Sequence, residues 1–312
     1  MPRSLAFEIL SAIASSARAR AQFHDDGPET DREFQVAGFE RIDVSGPFDV
    51  EIEVGEPAAV RASGPEWALE NLSVEVQDDR LFVGCDGDCD GDATVFITVP
   101  RLRALRSSGS GDVSIDRVKG DEFDCASSGS GDLDIDDADV RRFALSASGS
   151  GDVAIDRVRG DEVEMTMMGS GDLAVDALES STFKLTINGS GDASIDDYSG
   201  GDIEAVLTGS GDLDVDSIEA DSVQLTIFGS GDVHIGDGET RVATIETSGS
   251  GDVSAEDMAA KNASLSVCGS GDISVQVTGK AEIVVTGSGD VSVTGGAKCT
   301  VTGSGSGEIH CE

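Results

Sequence analysis

From residue 33 onward the chain alternates apolar with polar side chains, the period of a strand with one buried face. Residues 109–128, GSGDVSIDRVKGDEFDCASS, show the unit. Val113 and Ile115 alternate with Asp112, Ser114 and Asp116. RVKGD reads as a turn, and Phe123, Cys125 and Ser127 then alternate with Glu122, Asp124 and Ala126. The GSG triplet returns every 20 residues from Gly109 to Gly269, then at Gly287 and Gly305 after two steps of 18. Self-similarity at such a period marks a repeat architecture in which each unit buries its apolar face only against its neighbours.

Aligning the units turns positions into columns. Val113, Leu133, Val153 and Leu173 head one apolar column, and Ile115, Ile135, Ile155 and Val175 a second. Phe123, Phe143, Val163 and Phe183 head a third, and Cys125, Leu145, Met165 and Leu185 a fourth. The 3.6-residue period of a helix is absent. Short strands joined by Gly turns at a fixed step predict an all-β fold, a parallel β-helix (β-solenoid) with ~20-residue coils, each strand pairing with its equivalent one coil on. Corner glycines are expected where φ is positive or where two backbones approach closely. The places between apolar residues, among them Ala154 and His234, are expected to face outward.

The remainder divides as follows. Residues 1–22, with Arg3, an apolar stretch and the Ala19-Arg20-Ala21 triplet, read as a signal peptide, and 23–32 as an acidic linker. Residues 33–106 keep the alternation without the repeat and read as irregular capping coils, with PEWALENL as one or two helical turns anchored by Trp67. Residues 107–312 are the GSGD-repeat solenoid. The phrase GFERIDVSGPFDVEIEVGEPAAVRASGPEWALENLSVEVQDDRLFV, followed by GSGD coils, resembles the bacterial GIN domain, the head domain of autotransporter-type adhesins, over roughly residues 34–311. That resemblance implies a right-handed single-stranded β-helix acting on the cell envelope or outside it. It carries over no site residues.

Charge narrows the partners. The 61 acidic residues against 21 Lys and Arg give a formal charge of −40. A surface so acidic repels nucleic acid and anionic membranes. No stretch after the N-terminus approaches the ~20 apolar residues of a membrane span. The expected partner is a protein or glycan surface ligand, and the expected location is secreted, periplasmic or cell-surface.

Candidate chemistry is sparse. His24, His234 and His310 fall into no nucleophilic constellation by spacing. Arg141, Arg142, Arg157 and Arg159 beside Asp residues are the best basic candidates for β-helix polysaccharide lyase or hydrolase chemistry, which ranks below a non-catalytic binding or scaffold role. CDGDCDGD at 85–92 places Asp86, Asp88 and Asp90 as the start of a calcium-type loop. The twelfth position is Ile97, so a Ca2+ site there would not be an EF-hand. Asp112 and its equivalents form one acidic row, and Asp116 and its equivalents a second. Neighbours about 4.8 Å apart repel by roughly 0.9 kcal/mol in water. The expectation is that corner N–H groups or Ser hydroxyls hold these carboxylates, with Ca2+ bridging as the alternative. Of the six cysteines, Cys85–Cys89 and Cys299–Cys311 are close enough in sequence to pair locally, whereas Cys125 reads as core.

Overall fold

The computed structural model describes residues 29–87 and 93–312. The expected signal segment lies outside the described residues, as do residues 23–28 of the expected linker. The chain divides into two compact units, the first ending at Gly160 and the second running from Asp161 to Glu312.

The first unit opens with β1 (Glu29–Phe34), β2 (Arg41–Gly46), β3 (Asp49–Val54) and β4 (Ala59–Pro65). The short helix α1 (Glu66–Glu70) follows, then β5 (Leu72–Gln77), β6 (Arg80–Cys85), β7 (Thr94–Val99) and β8 (Ala104–Gly109). Residues 29–32 are thus the first four residues of a strand. The region is a mixture of directions: β1 pairs antiparallel with β4, β4 with β7, and β5 with β6. In contrast, β2 runs parallel to β6 and β8, and β3 parallel to β7 and β9 (Val113–Gly129). Trp67 is not the anchor its size suggests. It is 40% exposed, and α1 packs through Ala68 and Leu69 instead.

The repeat coils are parallel and in register. In β9 and β10 (Leu133–Gly149), residue n faces residue n + 20, with pairing skipped at Asp116/Asp136 and Asp121/Arg141. Each coil is therefore three extended runs separated by two bends, with a GSGD corner closing it. β11 (Val153–Gly169) carries the division between the units. In the second unit β12 (Leu173–Gly189), β13 (Ala193–Gly209), β14 (Leu213–Gly229), β15 (Val233–Gly249) and β16 (Val253–Gly269) repeat the same register. β17 (Ile273–Val285), β18 (Val291–Thr294), β19 (Lys298–Gly303) and β20 (Ile309–Cys311) finish the unit with shorter coils.

The four apolar columns are the core. Ile115, Phe123, Ile135, Phe143, Leu185, Leu225 and Ile245 are all at most 1% exposed. Phe123 and Phe143 pack as coil neighbours with tilted rings, centroids 5.9 Å apart, and Phe183 stacks on Tyr198 at the same separation. Tyr198 fills the corner column of Leu178 and spends its hydroxyl on Asp202 O at 3.4 Å. Outward assignments fail at small residues: Ala154, Ala174 and Ser194 are buried although each alternates with core side chains. His234 and Ser254 at equivalent places are exposed.

The GSG corner uses its two glycines for different reasons. Gly129 has φ 137°, a region that side chains avoid, and a Cβ there would overlap Gly109 O. Gly131 needs no positive φ, but a Cβ would overlap Gly111 O one coil back.

The end of the second unit is closed covalently. Cys299 stacks on Ala281 in the third apolar column, and Cys311 on Val293 in the second. Their disulfide therefore crosses the mouth of the core over side chains that are themselves fully buried. Cys125 is a free, buried thiol, pushed up to about 12 by burial, and Cys268 is free and exposed.

Inward and outward positions differ sharply in tolerance. Ile235→Asp, which puts an unpaired charge among parallel-strand core side chains, is expected to cost several kcal/mol. Ser254→Asp, on the exposed row, is expected to stay within about 0.5 kcal/mol. Urea unfolding midpoints measure both, and equal shifts would refute the assignment of faces.

Candidate functional site

Two features stand out from the coil framework: a carboxylate ladder along the GSGD corners and a groove in the first unit.

The ladder is built by backbone geometry. At each corner the Ser N–H donates to the Gly carbonyl one coil back (Ser130 N to Gly109 O, 3.0 Å), and the Val or Leu N–H donates to the Asp carbonyl one coil on (Val113 N to Asp132 O, 2.8 Å). That leaves the Asp N–H, which donates to the side chain of the Asp one coil back. In the first unit Asp112 N reaches Asp49 Oδ1 at 3.0 Å, Asp132 N reaches Asp112 Oδ1 at 3.0 Å, and Asp152 N reaches Asp132 Oδ1 at 2.9 Å. In the second unit the series runs from Asp192 N on Asp172 Oδ1 (2.8 Å) to Asp290 N on Asp272 Oδ1 (2.7 Å). It ends where Glu308 N meets Asp290 Oδ1 at 2.7 Å. Charge-assisted bonds of this length offset like-charge repulsion along the row. Backbone N–H groups donate to these carboxylates at each of these corners.

In the second acidic row Asp116 Oδ1 accepts the Val54 N–H at 2.9 Å, and carboxyls in and beside that row are raised. Burial, followed by the charges of Asp136 and Asp156, raises Asp134 to about 6. Burial, then Asp156 and Asp116, also raises Asp136. In the second unit burial and Asp214 raise Asp216.

The groove lies on the outward face of β5, β6, β2, β8 and β9, and encloses about 520 Å3. Register fixes its floor. Glu75 faces Phe82 across the β5–β6 pair, Phe82 faces Asp43, Asp43 faces Arg106, and Arg106 faces Ala126. A second lateral row holds Ser73, Gly84, Ser45, Ser108 and Ser128. Gly84 leaves a gap there: a Cβ would meet Ser45 Oγ at 3.1 Å. Asp43 is ion-paired with Arg80. Phe82 is 38% exposed, with its ring in the groove lining.

The residues singled out in the sequence are distributed differently. Asp86 lines the groove beside Cys85, which is disulfide-bonded, whereas Asp88, Asp90 and Cys89 lie outside the described residues. No group of three potential metal ligands occurs among the described residues. Arg141 pairs with Asp121 at 3.0 Å, Arg142 with Asp124 at 2.6 Å and Arg157 with Asp137 at 3.9 Å, so these cations serve neighbouring coils. His310 pairs with Glu312 at 2.8 Å, and His24 lies outside the described residues.

Stacking brings together what linear spacing hides. Asp214, His234 and Ser254 stand side by side on β14, β15 and β16. They are the residue types of a hydrolytic triad, but no hydrogen bond joins them. Asp214 Oδ1 is buried without a hydrogen-bond partner, so it does not orient the imidazole as a triad acid would. The groove row Glu75–Phe82–Asp43–Arg106 was also invisible in the sequence. Its only linear signals were an aromatic and an arginine on positions that alternation assigns to solvent.

Comparison with known proteins follows from this geometry. The profile of the family described as "Putative auto-transporter adhesin, head GIN domain" matches residues 38–199 and 195–297, more than half of the chain. A crystal structure of a "putative adhesin" from Bacteroides fragilis is similar, with a TM-score of 0.55 and 20% identity, over 73% of this chain and 96% of that one. A "putative lipid binding protein" from Parabacteroides distasonis aligns at 19% identity and a TM-score of 0.42, over 92% of this chain and 98% of that one. At 20% identity the likeness to the Bacteroides fragilis structure speaks to the fold alone. No curated protein sequence matches the chain.

The raised carboxyl of Asp134 has a signed consequence. An acid whose folded pKa lies above its unfolded value binds its proton more tightly when folded, so its ionisation opposes folding. For Asp134 that cost is absent below 3.8, grows as pH rises toward about 6, and is complete at neutral pH. Asp134→Asn is therefore expected to raise the melting temperature at about pH 7 and to lose that advantage near pH 4. An advantage that persists unchanged at pH 4 would contradict the assignment.

Proposed function

The chain belongs to the auto-transporter adhesin head GIN-domain family, and with that as premise we propose that it is a non-catalytic binding module working at the cell envelope or outside the cell. The family match carries this reading. Three further observations support it. Two disulfide-bonded positions, Cys299–Cys311 and Cys85, suit an oxidising compartment. The first unit carries an open, hydroxyl-rich groove suited to holding a ligand. The potential catalytic residues are engaged in coil-to-coil ion pairs or stand without an orienting partner. No helix among the described residues is long and apolar enough to cross a membrane.

The test is fractionation of the producing cells, followed by protease treatment of intact cells. The expected outcome is recovery in the envelope or the medium, with the cell-associated protein lost when protease is added outside. Recovery in the cytoplasmic fraction, protected until lysis, would overturn the proposal.

A further inference from the structure

The geometry points to a ligand class for the groove on β5, β6, β2 and β8: an uncharged polyhydroxylated chain, that is, a neutral saccharide. The inference rests on the binding-module reading above and adds the site and its chemistry.

The first observation is an unspent arginine. Every other described arginine has an ion pair, a hydrogen bond, a ring contact or another interaction, as with Arg41 on Asp79, Arg61 on Asp31, Arg103 on Glu40 and Arg241 on Asp221. Arg106 has none among the described residues. In a chain of formal charge −40, where carboxylates outnumber cations almost three to one, an arginine left free on a sheet face is an exception. It keeps all five N–H donors available in a fixed fork.

The second observation is what surrounds it. Phe82 and Arg106 flank Asp43 on the two strands beside β2, so the ring, the carboxylate and the guanidinium form one lateral row. Glu75 extends the row beyond Phe82. Arg80 holds one Asp43 oxygen and so fixes the direction of the carboxylate. The Ser hydroxyls of the second row can both donate and accept. The volume of about 520 Å3 falls within the range of small-ligand pockets.

Charge selects the occupant. Asp43, Glu75 and Asp86 line the groove against Arg106, so an anionic ligand meets a net negative wall set in a strongly negative field. A cationic peptide meets free Arg106 at the centre of the row, and it finds carboxylates at least as dense on the corner ladders. A neutral polyol uses every group present. The apolar face of a pyranose lies on the Phe82 ring, vicinal hydroxyls donate to Asp43 and Glu75, and Arg106 donates to hydroxyl or ring oxygens.

The test is calorimetric titration of the full chain with cellohexaose, maltohexaose and mannohexaose, and with oligogalacturonate and octa-arginine as the charged comparators. At least one neutral hexaose is expected to bind saturably. Phe82→Ala and Arg106→Ala are each expected to weaken that binding at least 10-fold, with melting temperatures unchanged because both side chains are exposed. Phe228→Ala, which removes a ring 50% exposed in the second unit, is expected to leave binding as it was. The assignment is overturned if no neutral hexaose binds, if binding survives both groove variants, or if only the charged comparators bind. The hexaose is expected back intact. A cleaved hexaose whose binding still needs Phe82 and Arg106 would support the groove assignment and overturn the non-catalytic reading. Absence of binding by a protein that protease treatment places outside the cell would overturn the groove assignment alone.

Discussion

One backbone N–H per coil determines much of this molecule. Where a coil turns its GSGD corner, the Asp amide faces the neighbouring coil with no carbonyl in position to receive it, because the Ser and Val amides take the carbonyls on either side. A corner amide left unsatisfied at every turn would be costly. The Asp side chain supplies the missing acceptor, reaching one coil on at 2.7–3.0 Å. Its length matters, since the oxygen must span one coil spacing. Where GSGE replaces GSGD, Glu308 still donates its N–H to Asp290 Oδ1, at 2.7 Å.

The rest of the architecture is arranged around that corner. The first glycine of GSG provides the positive φ and the second the close approach, so the corner stays thin enough for the Asp to bridge it. Between corners the coil needs only apolar residues at the column positions. The repeat therefore tolerates Phe, Val, Ile and Ala in the third column and Cys, Leu, Met, Ala and Ile in the fourth, while the Gly and Asp of the corners recur unchanged from Gly109 to Asp290. The acidic row follows from the same requirement, because the side chain that accepts the N–H brings a charge. Part of the formal −40 is thus a consequence of how the coils turn, while Asp134 and Asp136, away from the corner, are raised by burial first and by neighbouring carboxylates second.

The coils were legible in the sequence because every determinant recurs at a fixed offset. The apolar columns, the parallel register, the corner glycines and the use of corner N–H groups by the Asp row could all be read from one unit and its copies. The first unit was less legible. Its mixture of parallel and antiparallel pairs joins β2 to both β6 and β8, strands far apart in sequence, and no repeat announces those partners. For the same reason the row of Glu75, Phe82, Asp43 and Arg106 could not be assembled beforehand. Trp67 and Ala154 mark two limits of reading by residue type: size did not decide burial in the first case, nor alternation in the second.

The central claim is that the corner Asp acts as a hydrogen-bond acceptor and that its charge is incidental. Asp232 tests it, since its Oδ1 receives the Asp252 N–H at 2.8 Å and its neighbours in the row are also carboxylates. The decisive measurement is the unfolding free energy of Asp232→Asn against Asp232→Ala. Asn keeps an amide oxygen as acceptor and relieves like-charge repulsion, so it is expected to match or exceed the parent. Ala leaves the Asp252 N–H without its acceptor and is expected to lose about 1 kcal/mol or more. Equal losses in the two variants, or an Ala variant as stable as the parent, would contradict the account.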